Sequence, residues 1–133
     1  MSNEKVWYID SSAIVKLVAQ EPESPALRQY LRRRRPLVAS ALVRTEVSRA
    51  LLTLGDPFLR RAGQVLSRIE LVRINNQVLS DAGLLEPPTL RSLDAIHLAT
   101  AALFEATLGG VITYDGPMTN AARLHGWKVS APT

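Results

Sequence analysis

Val6-Trp7-Tyr8-Ile9-Asp10-Ser11-Ser12 places a short β-rich run directly before an acidic residue and two serines. Serine is a favoured N-cap residue, so the pattern predicts a strand over 6–9 and a helix that begins at Ser11 or Ser12 and ends near residue 18 or 19. The chain therefore starts with a strand, an acid and a helix, and the alternation of strand and helix continues after them.

Four further strand-like runs and six further helical patterns follow. The strand-like runs are 37–39, 71–74, 111–114 and 127–130. The helical patterns are 26–34, 41–54 with Ser40 as cap, 56–69, 76–85, a helix around 90–102 that Gly109 and Gly110 stop, and 117–125. This alternation predicts an α/β fold: a three-layer α/β/α sandwich with a mainly parallel sheet of about five short strands. A chain of 133 residues can build one core, so we expect residues 1–133 to form a single domain.

The composition excludes several classes of protein. The chain has no cysteine, which excludes zinc fingers, iron–sulfur sites and thiol chemistry. Residues 1–5 are polar, and the apolar run after them is too short to span a membrane. We therefore expect a cytoplasmic protein with no signal peptide and no membrane partner.

The charge balance favours a polyanionic partner modestly. The formal net charge is +4, and most of the 16 basic residues are arginine. A basic body around an acidic site suits a nucleic acid that is held by its phosphates. Many small domains are basic for solubility alone, so charge by itself does not decide the function.

Four acids are expected near the carboxyl ends of the strands, where parallel sheets bind ligands. Asp10 and Asp115 each follow a predicted strand, and ligands of such sheets bind beyond the carboxyl ends of the strands, where the strand order reverses. Glu46 lies beside the apolar positions of the helix after the second strand. Asp94 lies within the apolar pattern of its helix, near a helix start if Ser92 is the cap. A carboxylate on a buried face needs a partner or a cation.

Together the four carboxylates predict a site for a divalent metal ion. They would repel one another at one edge of the sheet unless a cation lay between them. Ligands that are all oxygen favour Mg²⁺ or Mn²⁺ over zinc. A water whose pKa is lowered by such an ion can attack a phosphodiester in line, so the acids and the basic charge predict metal-dependent hydrolysis of nucleic acid.

Each acid alone also has a simpler interpretation. Asp10 could be a helix N-cap, and Asp115 could be a turn residue in Asp-Gly-Pro. Glu46 could pair with Arg44 or Arg49. These alternatives stay open at the level of sequence.

Four short motifs surround the acids. They are Tyr-Ile-Asp-Ser-Ser-Ala-Ile-Val-Lys-Leu at Asp10, Val-Arg-Thr-Glu-Val at Glu46, Leu-Arg-Ser-Leu-Asp-Ala-Ile-His-Leu-Ala at Asp94, and Thr-Tyr-Asp at Asp115. Their order and spacing resemble the acidic quartet of PIN-domain ribonucleases, and in particular the toxins of VapBC-type toxin–antitoxin pairs. The likeness extends over residues 6–132. One departure is Gly116-Pro117-Met118, where Met118 can fill the apolar position that the family gives to leucine.

The resemblance implies a fold, an activity and partners. It implies a PIN-like fold and an endoribonuclease that depends on Mg²⁺ or Mn²⁺, with Asp10, Glu46, Asp94 and Asp115 as catalytic residues and metal ligands. It implies that Ser11 or Ser12 assists at the first acid by hydrogen bonding to it or to a metal-bound water. It also implies an RNA substrate, a homodimer and a cognate antitoxin protein whose C-terminal segment covers the active site.

Several basic residues have more than one possible role. Lys16 and Arg91 are candidates for contact with RNA phosphates, because both are expected near the acids. The run 32–35 of four arginines could hold RNA, contact an acidic antitoxin or form the solvated end of a helix. His97, one turn after Asp94, could be a proton shuttle or a packed histidine that is hydrogen-bonded within the core.

Two rival functions use the same fold class. A phospho-acceptor receiver domain is also a small α/β protein with acids at strand ends, but it needs an acidic pair after the first strand and a lysine after the last active-site strand. Here serines follow Asp10, and the strand before Asp115 offers no lysine. The second rival is a catalytically silent RNA- or protein-binding module of the same fold.

Overall fold

A sheet of five strands forms the centre of the computed structural model, which describes residues 4–133. Residues 1–3, part of the polar N-terminal stretch, lie outside the described residues. The strands are β1 (Val6–Ile9), β2 (Leu37–Ser40), β3 (Glu70–Val72), β4 (Leu108–Ile112) and β5 (Val129–Ser130). They lie in the order β3-β2-β1-β4-β5, and all neighbours are parallel. The predicted parallel sheet is confirmed.

Seven α-helices are present within residues 4–133. They are α1 (Ser11–Val18), α2 (Ser24–Leu31), α3 (Val43–Leu51), α4 (Asp56–Leu66), α5 (Asn76–Gly83), α6 (Ser92–Ala102) and α7 (Gly116–Leu124). Short 3-10 helices, Leu52–Leu54 and Glu105–Thr107, follow α3 and precede β4. In the described part of the chain, none of the helices has the length and apolar character needed to cross a membrane.

Alternate side chains of the central strands face two different layers of helices. On one face, α1 to α4 pack over Ile9, Ala39 and Ile112. On the other face, α6 and α7 pack over Tyr8, Val38 and Val111. Successive residues of a strand point to opposite faces, so each strand contributes to both cores. The three-layer α/β/α prediction is confirmed.

The strand order reverses between β1 and β4. The chain runs outward from β1 through β2 to β3, then returns to the other side of β1 and continues through β4 to β5. In open parallel sheets ligands bind at this point, beyond the carboxyl ends of the strands. The segments that follow β1 and β4 therefore frame the expected site.

The prediction that Gly109 and Gly110 stop a helix is wrong. The helix α6 ends at Ala102, and both glycines lie inside β4. A Cβ atom at Gly109 would lie 2.6 Å from an atom of the Trp7 indole ring, so the ring can cover β4 only where that side chain is missing. Gly109 is thus required by close packing against Trp7 of the neighbouring strand.

Other predicted boundaries also differ from the structure. Because β4 ends at Ile112, two residues separate it from Asp115, which was expected directly after a strand. Ser92 is the first residue of α6 and not its cap; the cap position is occupied by Arg91. Trp127 lies before the short β5 and not within it.

Candidate active site

All four predicted acids lie at the N-terminal ends of helices that follow strands or loops at one edge of the sheet. Asp10 is the N-cap of α1 and Asp115 is the N-cap of α7. Glu46 lies in the first turn of α3, and Asp94 lies in the first turn of α6. The positive ends of four helix dipoles thus meet the carboxylates, which favours their ionised form.

The four acids line one cavity with a volume of about 380 Å³. The other lining residues come from the same helix starts, and they are Ser11, Ser12, Arg91, Ser92, Leu93, His97 and Met118. The cavity lies at the carboxyl edge of the sheet, where the strand order reverses. The structure therefore brings together residues that are more than 100 positions apart in the chain.

Asp10 is the most buried of the four acids. Its carboxyl Oδ1 accepts hydrogen bonds from Ser12 Oγ at 2.7 Å and from the Ala13 N–H at 3.2 Å. Burial raises the pKa of Asp10, and the hydrogen bonds from Thr113 and Ser12 oppose that rise. The N-cap role left open by the sequence is correct, and Asp10 also lines the cavity.

Thr113 joins the two acids that flank the reversal point, and no feature of the sequence singles it out. Its hydroxyl donates to Asp10 Oδ2 at 2.5 Å and accepts from the Asp115 N–H at 3.0 Å. The residue is fully buried. Because residues 111–114 were predicted as a strand, Thr113 was expected to be a strand residue and not a bridge between loops.

Asp94 has an unsatisfied oxygen. Its Oδ2 atom is buried and has no hydrogen-bond partner, and the nearest cation, Arg91 Nε, lies 3.9 Å away. Burial and the nearby charge of Asp115 raise the pKa of Asp94. A buried carboxylate oxygen without a partner is costly unless something binds it.

Glu46 is held by a histidine and not by an arginine. His97 Nε2 lies 2.6 Å from Glu46 Oε1, while Arg44 and Arg49 are exposed. The other ring nitrogen, Nδ1, lies 2.6 Å from the Tyr8 hydroxyl. Of the two interpretations of His97, the packed and hydrogen-bonded histidine matches this geometry. The sequence did not indicate that its partner is one of the four acids.

Asp115 is fixed by the start of α7 despite the unusual Gly-Pro sequence. Its Oδ2 atom accepts from the Met118 N–H at 2.9 Å, and Pro117 lies in the first turn, where its missing N–H is tolerated. Met118 is buried and fills the apolar position expected of it.

A family model for the PIN domain matches residues 7–124 of the sequence. The chain belongs to the PIN-domain family. The matched residues include all four acids and the other residues that line the cavity. It also decides against the receiver interpretation, and no lysine is among the cavity-lining residues of the described chain.

The chain is similar in sequence to a named ribonuclease and similar in fold to solved toxin structures. The chain is 52% identical to Ribonuclease VapC46 of Mycobacterium tuberculosis over 95% of its own length and 97% of that protein's length. In structure it resembles one chain of a toxin–antitoxin complex from Klebsiella pneumoniae, with a TM-score of 0.72 and 23% identity. The superposition covers 95% of this chain and 97% of that chain. The chain also resembles VapC20 of M. tuberculosis, described as a sarcin–ricin loop cleaving toxin, with a TM-score of 0.69 and 14% identity over 86% of this chain and 94% of that chain.

The donor atoms of this PIN domain fit a hard divalent cation that keeps part of its water shell. Carboxylate oxygens dominate the donor set, and Asp94 Oδ2 is a buried acceptor without a partner. No group of three histidine or acidic side chains within residues 4–133 converges closely enough to enclose a metal ion. Mg²⁺ is commonly bound through one or two carboxylates and several waters, which suits acids that share a roomy cavity.

The remaining candidates lie in different surroundings. Ser11 lines the cavity, and Ser12 both donates to Asp10 and accepts from the Tyr114 N–H at 2.9 Å. The Arg91 side chain is 76% exposed at the mouth. Lys16 does not line the cavity; its ammonium group pairs with Glu21 at 3.0 Å and Glu23 at 2.8 Å. Contact of Lys16 with RNA stays a prediction, and it would compete with these ion pairs.

Proposed function

We propose that this PIN domain is an endoribonuclease that depends on Mg²⁺ or Mn²⁺ and acts as the toxin of a toxin–antitoxin pair. The observation that carries the proposal is the buried Oδ2 of Asp94, which has no hydrogen-bond partner, in a cavity that three other acids also line. Such an arrangement is unfavourable in an empty cavity but is suited to a bound cation. We propose that the domain spans residues 1–133.

Similarity to named proteins supports RNA as the substrate. The relative with 52% identity is named a ribonuclease. VapC20, which shares the fold, is described as a sarcin–ricin loop cleaving toxin. The basic net charge of +4 is compatible with binding to a phosphate backbone. We therefore propose structured RNA as the substrate class.

We propose that some residues of the cavity bind a metal ion and that others bind RNA. Asp10, Glu46, Asp94 and Asp115 would hold the ion directly or through water. When bound, such an ion lowers the pKa of a water and offsets negative charge on the phosphate. Ser12 and Thr113 orient the Asp10 carboxylate by donating to its two oxygens. Arg91, exposed at the cavity mouth, would donate to a phosphate oxygen of the RNA.

A cleavage assay on a mixed pool of RNA tests the activity. We expect fragments with Mg²⁺ or Mn²⁺ and none in EDTA, and sequencing of the 5′ ends will identify the cleaved site. Undiminished cleavage in EDTA would contradict the metal-dependent mechanism. Absence of cleavage with either ion, on RNA pools that include ribosomal and transfer RNA, would favour the catalytically silent module.

We propose two protein partners, a cognate antitoxin and a second copy of the chain. One structure with the same fold is a toxin–antitoxin complex, and here Arg91 and Leu93 are exposed at the cavity mouth, where a covering segment would lie. Co-expression with the product of the adjacent reading frame should abolish cleavage. Sedimentation equilibrium should give the mass of a dimer, and a monomer at micromolar concentration would contradict the homodimer. Cytoplasmic location stays a prediction.

A further inference from the structure

A chain of three hydrogen bonds connects the backbone of β2 to Glu46. The Ser40 N–H donates to the Tyr8 hydroxyl oxygen at 3.0 Å. The Tyr8 hydroxyl contacts His97 Nδ1 at 2.6 Å, and His97 Nε2 contacts Glu46 Oε1 at 2.6 Å. Tyr8 is completely buried and His97 is 1% exposed, so water does not supply alternative partners.

These contacts assign the proton on the His97 ring. Because the Tyr8 oxygen already accepts from the Ser40 N–H, its own O–H donates to His97 Nδ1; otherwise this buried hydroxyl hydrogen would have no acceptor. Nδ1 is then the ring's acceptor, and the ring hydrogen lies on Nε2, which donates to Glu46. A single tautomer satisfies every contact, and Tyr8 selects it.

The network crosses the sheet. Glu46 belongs to α3, which packs on one face, and His97 belongs to α6, which packs on the other. Tyr8 comes from the central strand β1 and adds an edge-to-face ring contact to His97, with centroids 5.8 Å apart. Tyr8 therefore holds the imidazole by both a hydrogen bond and a ring contact. Glu46, whose side chain is 22% exposed, has few other means of being held in one orientation.

We propose that His97, oriented by Tyr8, is a positioning residue for the metal site: it binds Glu46 Oε1 and leaves Oε2 for the ion or its water. The inference rests on the proposed function, because it assigns Glu46 to the same site. Outer hydrogen bonds of this kind orient metal ligands, and their loss commonly lowers metal affinity. Among the described contacts of Glu46, the bond to His97 is the one that fixes its carboxylate.

Two substitutions of His97 separate its two hydrogen bonds. In His97→Asn, the amide oxygen can replace Nδ1 as acceptor for Tyr8, but the side chain is too short to donate to Glu46. In His97→Gln, the amide N–H lies near the position of Nε2 and can donate to Glu46. Electron paramagnetic resonance can monitor a titration with Mn²⁺. The affinity for Mn²⁺ should be about 10–100-fold lower in the Asn variant and less than about tenfold lower in the Gln variant. The kcat for RNA should fall in the same order, while KM stays near the wild-type value.

Thr100→Val and Glu46→Ala provide the controls. Thr100 is buried on the same helix and its hydroxyl donates to the Ile96 carbonyl, so Thr100→Val removes a polar group at equal depth without touching Glu46. It should leave Mn²⁺ binding unchanged. In the Glu46→Ala background, His97→Asn should cause no further loss of Mn²⁺ affinity, because the two residues act as one unit. An equal loss in both backgrounds would contradict a positioning role.

A measurement on the unaltered protein covers the case in which His97→Asn fails to fold. Nitrogen-15 NMR of histidine-labelled protein identifies the protonated ring nitrogen, and we expect Nε2; a proton on Nδ1 alone would overturn the proposal. The Mn²⁺ titration needs no RNA, so the two proposals fail separately. If the wild type cleaves RNA and both His97 variants bind Mn²⁺ normally, this inference is wrong and the function stands. If Mn²⁺ binds as described but no RNA is cut, the function is wrong and the positioning role stands.

Discussion

Two cavities at opposite edges of the sheet hold their charges in opposite ways. The acidic cavity at the carboxyl edge holds Asp10 and Asp94 with raised pKa values and leaves an oxygen of Asp94 without a hydrogen-bond partner. The second cavity, of about 270 Å³, lies near the beginning of β2 and is bordered by Arg28, Arg35 and Arg68 over an apolar floor. We call it the arginine cavity. Arg35 and Arg68 are exposed, so their charges stay in water.

This difference between the two cavities indicates that the acidic cavity lowers the free energy of unfolding and the arginine cavity does not. At the acidic cavity, burial of like charges opposes folding and is offset only in part by helix dipoles and hydrogen bonds. At the arginine cavity, apolar side chains are buried and charges remain hydrated, which costs little. Perturbed, buried titratable groups concentrate at functional sites. Substitutions at the acidic edge should therefore change the rate of RNA cleavage. Substitutions at the other end of the strands should leave that rate unchanged, whether or not they change the free energy of unfolding.

The largest effect is expected for Asp94→Asn. The substitution keeps the shape of the side chain but removes the charge of the carboxylate to which the buried Oδ2 belongs. Since loss of an outer-shell partner alone costs about 10–100-fold in affinity or activity, loss of this carboxylate should lower cleavage by more than about 100-fold. The measurement is the initial rate on RNA with saturating Mg²⁺.

The melting temperature of Asp94→Asn provides the control. It should equal or exceed the wild-type value in EDTA, because a buried carboxylate with a raised pKa has been removed. A variant that cleaves at the wild-type rate would show that the acidic cavity is not the active site.

The next largest effect should appear near the beginning of the strands. Gly109→Ala places a Cβ atom 2.6 Å from the Trp7 indole ring, so it should lower the free energy of unfolding by about 1–3 kcal/mol through overpacking. Gly63→Ala in α4 is the matched control, since no atom lies within 4 Å of the added Cβ and alanine should stabilise the helix by about 0.5–1 kcal/mol. Chemical denaturation measures both. Below its melting temperature Gly109→Ala should still cleave RNA, and loss of activity in the folded variant would contradict the separation of the two edges.

The pH dependence of stability should differ between wild type and Asp94→Asn. The folded-state pKa values of Asp10 and Asp94 are raised above their unfolded values, so protonation of these groups stabilises the fold. That contribution is complete below the unfolded value of about 3.9 and is lost as pH rises through the raised folded values.

In EDTA, Asp94→Asn should therefore gain stability relative to the wild type as pH rises from about 4, until Asp94 is fully ionised. Denaturation curves at several pH values measure the difference. Added Mn²⁺ should restore the stability of the wild type and not of the variant. A difference that shrinks with rising pH in EDTA would contradict the assigned direction of the Asp94 shift.

The smallest effect should come from exposed arginines, and it should depend on the cavity. Arg91→Gln at the acidic cavity should lower the slope of log affinity for RNA against log salt by about 0.7–0.9, the value for one phosphate contact. Arg68→Gln at the arginine cavity should leave this slope unchanged. Both should keep the free energy of unfolding within about 0.5 kcal/mol of the wild type. Equal losses of slope for the two variants would show that RNA covers both edges.

Much of the fold could be predicted because local patterns and packing agree. The run before Asp10 is a strand that enters a helix, and the alternation of elements correctly predicts a parallel sheet with helices on both faces. Gly109 misled the prediction because its role depends on Trp7, about 100 residues away in the chain. A glycine that ends a helix and a glycine that admits an indole ring look alike in sequence.

The candidate site could be predicted only in part. The four acids could be named because carboxylates at strand ends and on a buried helix face are unusual. The residues that hold them, Thr113, His97 and Tyr8, could not be assigned, because their hydrogen bonds join elements distant in sequence. Conversely, Lys16 was expected near RNA on spacing alone, but its ammonium group is paired with Glu21 and Glu23.

The central claim is that the acidic cavity holds a divalent cation, and anomalous diffraction from a crystal soaked in Mn²⁺ tests it most directly. The account predicts an anomalous peak inside the cavity, within direct or one-water reach of Asp94 Oδ2, and its loss in Asp94→Asn crystals. A Mn²⁺ peak elsewhere on the molecule, with none in the cavity, would contradict the claim.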